Sequence, residues 1–406
     1  MARAAAQPSA TTTVPLRRLV MCADGMRIPL SASERALRPG SIPYWGANGV
    51  VDHVDAALFN EELVLLGEDG APFFDRTKDV AFRTVEPIWP NNHIHVLRPD
   101  ASAVDARFLT YALNCTDFGS VISGSTRDKL TQDDMKGIRI PRLELGAQRR
   151  IADFLDDRVS RIDQIIAARH QQIGLIDEVA KSGMAREALD TEGPRIPLKR
   201  LIEDERLGIW GSEPGDEPVD MRVARVADFN RPDFTLGRVE TSRSATAAQI
   251  SGRQLQRGDV LLERSGGTQM NPVGCPAFVE SVEGNMVCSN FVSRLRPAEG
   301  VDGRYLSLVL GALYASRQQA PHSTQTTGIM NLNTGSYFKV LIPARTPASM
   351  VRLGHDLDRA LVEARRRQEH LKHSIDLLTE YKSSVITAAV TGELDVTTAS
   401  RRIPGE

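Results

Sequence analysis

Residues 140–190 read IPRLELGAQRRIADFLDDRVSRIDQIIAARHQQIGLIDEVAKSGMAREALD, and residues 342–395 read IPARTPASMVRLGHDLDRALVEARRRQEHLKHSIDLLTEYKSSVITAAVTGELD. From Pro141 to Pro343 the offset is 202, almost half of the 406-residue chain. At that offset Leu155 meets Leu357, Asp156 meets Asp358, Glu178 meets Glu380 and Ser182 meets Ser384. Leu130 and Leu332 stand just ahead of the two Ile-Pro pairs. The chain reads as one unit repeated once.

Both stretches carry a helical period. In the first, Leu155, Val159, Ile162, Ile166, Ile173, Ile176 and Ala180 form a narrow apolar seam interrupted by Arg169. In the second, the seam is Leu357, Leu361, Ala364, Leu371, Ile375, Leu378 and Val385, interrupted by Gln368. Roughly 45 helical residues span about 65–70 Å. Narrow stripes of that length pair as coiled coils, and a domain between them lets the chain return antiparallel.

The segments ahead of each helix differ in kind. Short apolar runs such as Leu63-Val64-Leu65-Leu66 and Val260-Leu261-Leu262 are separated by turn chemistry at Ala47-Asn48-Gly49, Glu68-Asp69-Gly70 and Ser265-Gly266-Gly267. Helices are expected at Ala106–Asn114 and Gly303–Ala315, and Glu192-Gly193-Pro194 marks the return into the second globule. The expected fold is α+β: two mixed α/β domains and two long helices pairing as an antiparallel coiled coil. The boundaries are a disordered tail at 1–13, a domain at 14–144, a helical spacer at 145–191, a domain at 192–345, a helical spacer at 346–396 and a tail at 397–406.

A charged fraction of 25% and a hydrophobic fraction of 41% exclude a mostly disordered or collagen-like chain. No apolar stretch reaches membrane-spanning length. The start, MARAAAQPSATTT, lacks the apolar core of a signal peptide. Cys22, Cys115, Cys275 and Cys288 form no C-x-x-C pair, which points to a reducing cytoplasm rather than a zinc or disulfide framework. The net charge of −2 is unlike that of a simple basic nucleic-acid binder.

Catalytic signatures are missing. There is no Walker A motif, no G-x-G-x-x-G and no N-P-P-Y; Asn271-Pro272-Val273 lacks the aromatic residue. Asp376…Glu380-Tyr381-Lys382 resembles a nuclease triplet but falls on a long helix. His93-x-His95 and His370-x-x-His373 lack a third ligand and read as exposed histidines. Gly266-Gly267 reads as a turn that faces DNA. Two like globules on a rigid spacer suit a bipartite target with an unread gap.

The chain resembles the specificity subunit of type I restriction–modification systems over residues 14–396. The resemblance rests on IPYWGANGVVD at 42–52, LLGEDG at 65–70, GDVL at 258–261, RSGGT at 264–268, CSN at 288–290 and YKSSVITAAVTG at 381–392. The first repeat keeps Gln148-Arg149-Arg150-Ile151, whereas the second has Ser349-Met350-Val351 where the family has Gln and Ile. The resemblance implies a non-catalytic subunit of the restriction–methylation enzyme. Its two target-recognition domains each read one half of a split double-stranded DNA sequence, in cytoplasmic phage defence. It implies docking of two methyltransferase (modification) subunits and of motor-nuclease (restriction) subunits. S-adenosylmethionine, ATP and Mg²⁺ belong to those partners, so no cofactor or metal is expected in this chain. Alternatives are a subunit of a related non-type-I modification system, a fused or stand-alone restriction enzyme, and a pure scaffold.

Base readout needs Arg, Lys, Asn, Gln, Ser or Thr on loops. The first domain offers Arg127 and Lys129 in the run Gly124–Lys129, then Tyr44 and Asn48. In the second domain the 202 offset lays that run against Gln325 and Thr327, joined by Arg264, Ser265 and Thr268. Residues 14–144 hold 15 basic against 18 acidic side chains and residues 194–345 hold 18 against 16, so much of the phosphate grip is expected from partner subunits.

Overall fold

A computed structural model describes residues 12–122, 129–268, 271–326, 328–400 and 403. It divides into two compact units, Met1–Arg169 with Lys372–Glu406, and His170–Leu371. The division falls within both long helices, Leu145–Leu189 and Pro347–Thr391, so each unit owns part of both.

The first unit is built on four antiparallel strands in the order Val20–Cys22, Ile94–Pro99, Leu63–Gly67 and Ala81–Thr84. All five residues of Leu63–Gly67 are buried. Side chains alternate across a strand, so Val64 and Leu66 enter the cluster of Phe108, Leu109 and Leu113. Leu63 and Leu65 enter the opposite cluster, with Phe59, Ile88 and Val96. A strand covered on both faces must be apolar throughout, which is why no polar alternation shows in its sequence. A smaller sheet joins Gly49–Val54, Ile42–Gly46 and Trp89–Pro90.

The helix Ala106–Asn114 packs over the main sheet. Asp105 caps it by accepting from the Arg107 and Phe108 amides. At its other end the Asn114 carboxamide accepts from the Val80 and Ala81 amides, both at 2.8 Å, and fixes the helix to the strand below.

The second unit has a six-stranded sheet ordered Ile202–Leu207, Val292–Pro297, Val260–Glu263, Pro276–Phe278, Thr235–Leu236 and Phe229–Asn230. The helix Gly303–Ala315, capped by Asp302, covers it, with Leu306, Leu310 and Leu313 in one cluster with Val260, Leu261 and Leu262. Two three-stranded sheets complete the unit. One is Ser242–Ala245, Val219–Ala224 and Met286–Cys288; the other is Ser265–Gly267, Ile329–Leu332 and Ser323–Thr326. All four cysteines are free, and burial raises the Cys275 and Cys288 thiols to about 12.

The repeat is visible in bonds as well as letters. The long helices are each 45 residues and start 202 positions apart. Ahead of them, Thr13–Pro15 pairs antiparallel with Arg139–Pro141, and Arg195–Pro197 pairs likewise with Leu341–Pro343. Each ladder ties the start of a domain to its end. Gly193, with φ +127°, turns the chain from the first long helix into the second ladder. The Arg107 guanidinium donates to Asp156 at 2.9 Å, and Arg304 donates to the matching Asp358 at 2.8 Å.

One position breaks the repeat. Gln148 is buried, with its carboxamide bonded to the Asp105 amide and to the Ala103 and Leu143 carbonyls. Its counterpart Met350 is buried too, but fills the space with apolar contact beside Leu357 and Leu361. An uncharged residue of similar length replaces three hydrogen bonds by packing.

Within each unit the two helix portions run antiparallel. In the first, Ile151 and Leu155 share a cluster with Val385, Ile386 and Val390, while Ile162 meets Leu378. Lys382 Nζ donates to Asp163 at 2.8 Å, and Arg158 donates to the Tyr381 hydroxyl. In the second, Gln368 Nε2 donates to the Ile173 carbonyl at 3.2 Å, and Met184 and Ala188 share a cluster with Leu357 and Leu361. Leu155, Ile162, Leu357, Leu361 and Leu378 are buried, and Val159, Ile166, Ile173, Ile176, Leu371 and Ile375 are half-buried.

Candidate nucleic-acid interface

In the second unit the fold assembles residues that are far apart in sequence. Ser265–Gly267 is the edge strand of a three-stranded sheet, with Ser265 opposite Asn331 and their side chains 2.6 Å apart. On the next strands Met330 faces Gln325, whose side chain is exposed. Arg264, at the start of the edge strand, is held by its amide on the Phe291 carbonyl and its carbonyl on the Leu332 amide, both at 2.8 Å. Its guanidinium lies 3.7 Å from Glu205 and stays partly exposed. Thr268 is exposed beyond the strand, its Oγ1 accepting from the Asn271 amide. Thr327 lies outside the described residues.

The reading of Ser265-Gly266-Gly267 as a turn is corrected: it is a bulged strand. The register slips between Ser265 and Gly267, and Gly266 takes φ +104° at the slip. Only glycine adopts that conformation cheaply, so a bulge and a turn leave the same letters in the sequence.

Beside this strand lies an open cleft of ≈ 460 Å³ lined by Trp210, Arg225, Glu263, Ser265, Asn290 and Phe291. Trp210 is 38% and Phe291 45% exposed, unusual for rings of that size. Arg243 stacks on the Trp210 ring, 4.6 Å from its centroid. The floor is Glu263, buried against Arg231 at 3.0 Å; burial raises its carboxyl. Exposed rings, guanidinium groups and small polar side chains together suit base edges and phosphates. Trp210, Arg225 and Phe291 were missed from sequence, because exposure of an aromatic leaves no periodic signal.

In the first unit, Asn48 and Lys129 meet at the Glu68-Asp69-Gly70 turn. Asn48, exposed in the hairpin after Ile42–Gly46, donates to the Gly70 carbonyl at 3.2 Å. Lys129 bridges to Asp69 through its backbone and reaches Glu68 at 3.3 Å. Arg127 lies outside the described residues. Tyr44 is placed inside: it is 2% exposed, its hydroxyl accepts from the Leu30 amide and donates to the Leu30 carbonyl, and Arg35 covers its ring. Its place on an inward-facing strand position gives it the job of holding the 28–35 segment rather than reaching a base.

Under Lys129 lies a buried polar network that the sequence did not reveal. His95 Nδ1 stands 2.6 Å from Asp24, and its Nε2 2.9 Å from the Leu130 carbonyl. Asp24 also accepts from the Val96 amide and from Gln132 Nε2. Arg27 donates to Glu68 at 2.6 Å and to the Ile94 carbonyl. The reading of His95 as exposed is therefore corrected, since the ring is fully buried. His93 alone of that pair is at the surface, and His370 and His373 are exposed. Asp24, Glu68 and His95 offer ligand atoms within 4.8 Å of one another, yet Arg27 and Leu130 already engage them. The network fixes Leu130 and Gln132, which follow Lys129 in the chain.

Burial pushes the Asp24 carboxyl up, but bonds from His95 and Val96 and the charges of His95 and Arg27 outweigh it and hold the group at about 2. A depressed folded value stabilises the fold above the ordinary value of 3.8, and that stability is lost as pH falls toward 2. The contribution is on the order of 2 kcal/mol. Asp24→Asn should lower unfolding free energy at pH 7 by an amount that shrinks steadily between pH 4 and pH 2. Denaturant titration across that range checks it; a gap that stays constant with pH would refute the assignment.

The nuclease-like triplet has structural duties. Tyr381 and Lys382 engage Arg158 and Asp163 of the other long helix.

The family model for the type I restriction modification DNA specificity domain matches residues 23–175. A putative type I restriction enzyme specificity subunit of Haemophilus influenzae is 32% identical over 142 residues, 35% of this chain and 36% of that relative. The match thus spans about a third of the relative's length. A chain solved in a study of complex assembly and conformational transition of the type I R-M system superposes with TM-score 0.68 at 14% identity, covering 96% of this chain and 100% of that one. Residues 23–175 are thus similar to a type I specificity domain, and the whole chain shares the fold of that solved chain. The HsdS subunit from Thermoanaerobacter tengcongensis shares the fold of this chain, with TM-score 0.51 and 15% identity over 95% of this chain and 98% of that one. Both superpositions run through the second unit, so the fold likeness extends past the region matched by sequence. No helix among the described residues is long and apolar enough to cross a membrane.

Proposed function

We propose that this chain is the specificity subunit of a type I restriction–modification enzyme and recognises a bipartite sequence in double-stranded DNA, one half per recognition domain. The observation that carries the reading is the repeat of domain and helix, with the same closing ladder and the same Arg–Asp clamp in each half. A repeat of that kind gives two like reading heads, and paired long helices give a fixed spacer between half-sites. Arg264, Ser265, Gln325 and the cleft beside them form the reading surface of the second head; Asn48 and Lys129 belong to that of the first. Neither head is basic, so the phosphate grip comes largely from partners. Those partners are two methyltransferase subunits docked on the frame and motor-nuclease subunits of the complete enzyme. They bring S-adenosylmethionine, ATP and Mg²⁺, and the chain itself turns nothing over. The site of action is the cytoplasm.

Methylome sequencing of the host with and without the gene tests this reading. A split motif should vanish on deletion and return on complementation. Complementation with Arg264→Ala should relax one position of one half-site, at a cost of about 1–3 kcal/mol if the contact is to a base. A methylome unchanged by the deletion would overturn the proposal.

A further inference from the structure

The two domains differ at one place where their strand ladders can be matched. In the first, Gly67 pairs with Ile94; in the second, Glu263 pairs with Val292 at the same register position. Both partner strands then end in Leu-Arg-Pro, at 97–99 and 295–297, which fixes the match. The residue just ahead of the partner is His93 in the first domain and Phe291 in the second. The first domain has no room for a side chain at position 67. A Cβ there would meet the Ala71 Cβ at 2.3 Å and the Ala47 carbonyl oxygen at 3.1 Å. The second domain instead carries a carboxyl and a ring at these places, and both line the ≈ 460 Å³ cleft.

The cleft offers rings and hydrogen-bond acceptors. Trp210 and Phe291 line it and are both exposed. Arg243 stacks on Trp210 but does not itself line the cleft. Glu263 is paired with Arg231, which donates to its Oε2 at 3.0 Å. A carboxylate can accept about four hydrogen bonds, so this one keeps acceptor capacity. Ser265 donates its hydroxyl to the Asn331 carboxamide oxygen at 2.6 Å, so what it has left is also acceptor capacity. The chemical complement of these two groups is a ligand that brings amino hydrogens. Arg225, partly exposed and tied to Asp228 at 3.1 Å, adds a positive charge to the lining.

Shape decides how DNA could use such a place. Base edges in a duplex lie inside the grooves and are read by elements that project into them, a helix or a two-stranded ribbon. A recess cannot reach those edges. A base enters a recess only after leaving the stack, and aromatic rings then replace the stacking it gave up. Ser265 belongs both to this cleft and to the edge strand of the reading surface, so DNA lying on that surface passes the mouth of the cleft.

We propose that the cleft between Trp210 and Phe291 captures one nucleobase turned out of the second half-site, stacked on the rings with its amino group on Glu263 and Ser265. The inference rests on the reading of this chain as a DNA-recognition subunit. Thymine has no amino group, so the captured base is adenine, guanine or cytosine. The first head, with Gly67 and His93 at the matching places, turns out no base.

The test is a mismatch scan with the full-length chain and the methyltransferase subunits that copurify with it. Fluorescent duplexes carry the split motif read by methylome sequencing, and the complement of each base is changed in turn to a mismatch. Exchange of residues 14–144 assigns the half-sites to the heads. A mismatch at a position read in the groove weakens binding about 5–150-fold. Opposite a captured base it removes the pairing that capture must break, so binding should tighten at least about tenfold. One position of the second half-site should tighten in this way. Trp210→Ala and Phe291→Ala should each remove the tightening and weaken binding to the matched duplex roughly 5–150-fold, as for loss of one base–ring stack. Both rings are exposed, so thermal unfolding of the variants should match the parent, which controls for misfolding. Motif-specific binding that every mismatch weakens overturns the proposal and leaves the two-headed reading standing. So does tightening in the first half-site, a thymine at the tightened position, or tightening that survives both ring variants. Absence of any preference for the motif over unrelated duplex overturns that reading, and the proposal with it.

Discussion

Replacing residues 14–144 with the corresponding domain of a relative should change one half of the methylated sequence completely and leave the other half and the gap intact. Each ladder, Thr13–Pro15 with Arg139–Pro141 and Arg195–Pro197 with Leu341–Pro343, closes its domain just before a helix begins. The cut points therefore fall where few bonds must be rebuilt. The junction to respect is Gln148, whose three bonds reach back to the Ala103–Asp105 turn and to Leu143. Asp156, which clamps Arg107 and Tyr111, is the other. A donor domain that lacks an acceptor for Gln148 should dock poorly. Inserting helical residues should instead change the gap and spare both half-sites, at about 1.5 Å of helix per residue against 3.4 Å per base pair. Methylome sequencing reads each outcome. If the domain exchange alters both half-sites together, the two-headed reading fails.

Ile162→Asp should be the most damaging single substitution in the helical frame. Ile162 is fully buried, between Leu378 and Ile403. The change removes its packing and buries a carboxylate with no designed partner, at a cost of about 3–5 kcal/mol. That is a large share of a typical domain's stability. The melting temperature should fall by roughly 8–16 °C. Gln164→Asp, two residues away on the exposed face, should stay within about 0.5 kcal/mol of the parent. Equal effects from the two changes, measured by calorimetry, would mean that this part of the helix is not packed as described.

Much of the architecture was legible in the letters because it rests on periodicity. A seam spaced by threes and fours predicts a helix, and two seams 202 residues apart predict two helices of the same length. The short helices at Ala106–Asn114 and Gly303–Ala315 were legible for the same reason, each introduced by an aspartate cap. Local rules of this kind need no knowledge of what lies across the core.

Pairings between distant residues were not legible. His95 looked like a surface histidine because nothing near it in sequence announces Asp24, 71 positions away, or the Leu130 carbonyl, 35 away. Tyr44 looked available because the turn beside it is exposed, yet strand alternation sends its ring inward. Ser265-Gly266-Gly267 looked like a turn because a bulge needs the same glycine. The cleft between Trp210 and Phe291 joins residues 81 positions apart, and exposure is a property of what fails to cover a side chain. The repeat and the long helices could be read from the letters alone, because these follow from spacing and local propensity. Which polar groups are buried and which rings face outward could be seen only in the folded chain, because burial depends on contacts between segments that come together only on folding.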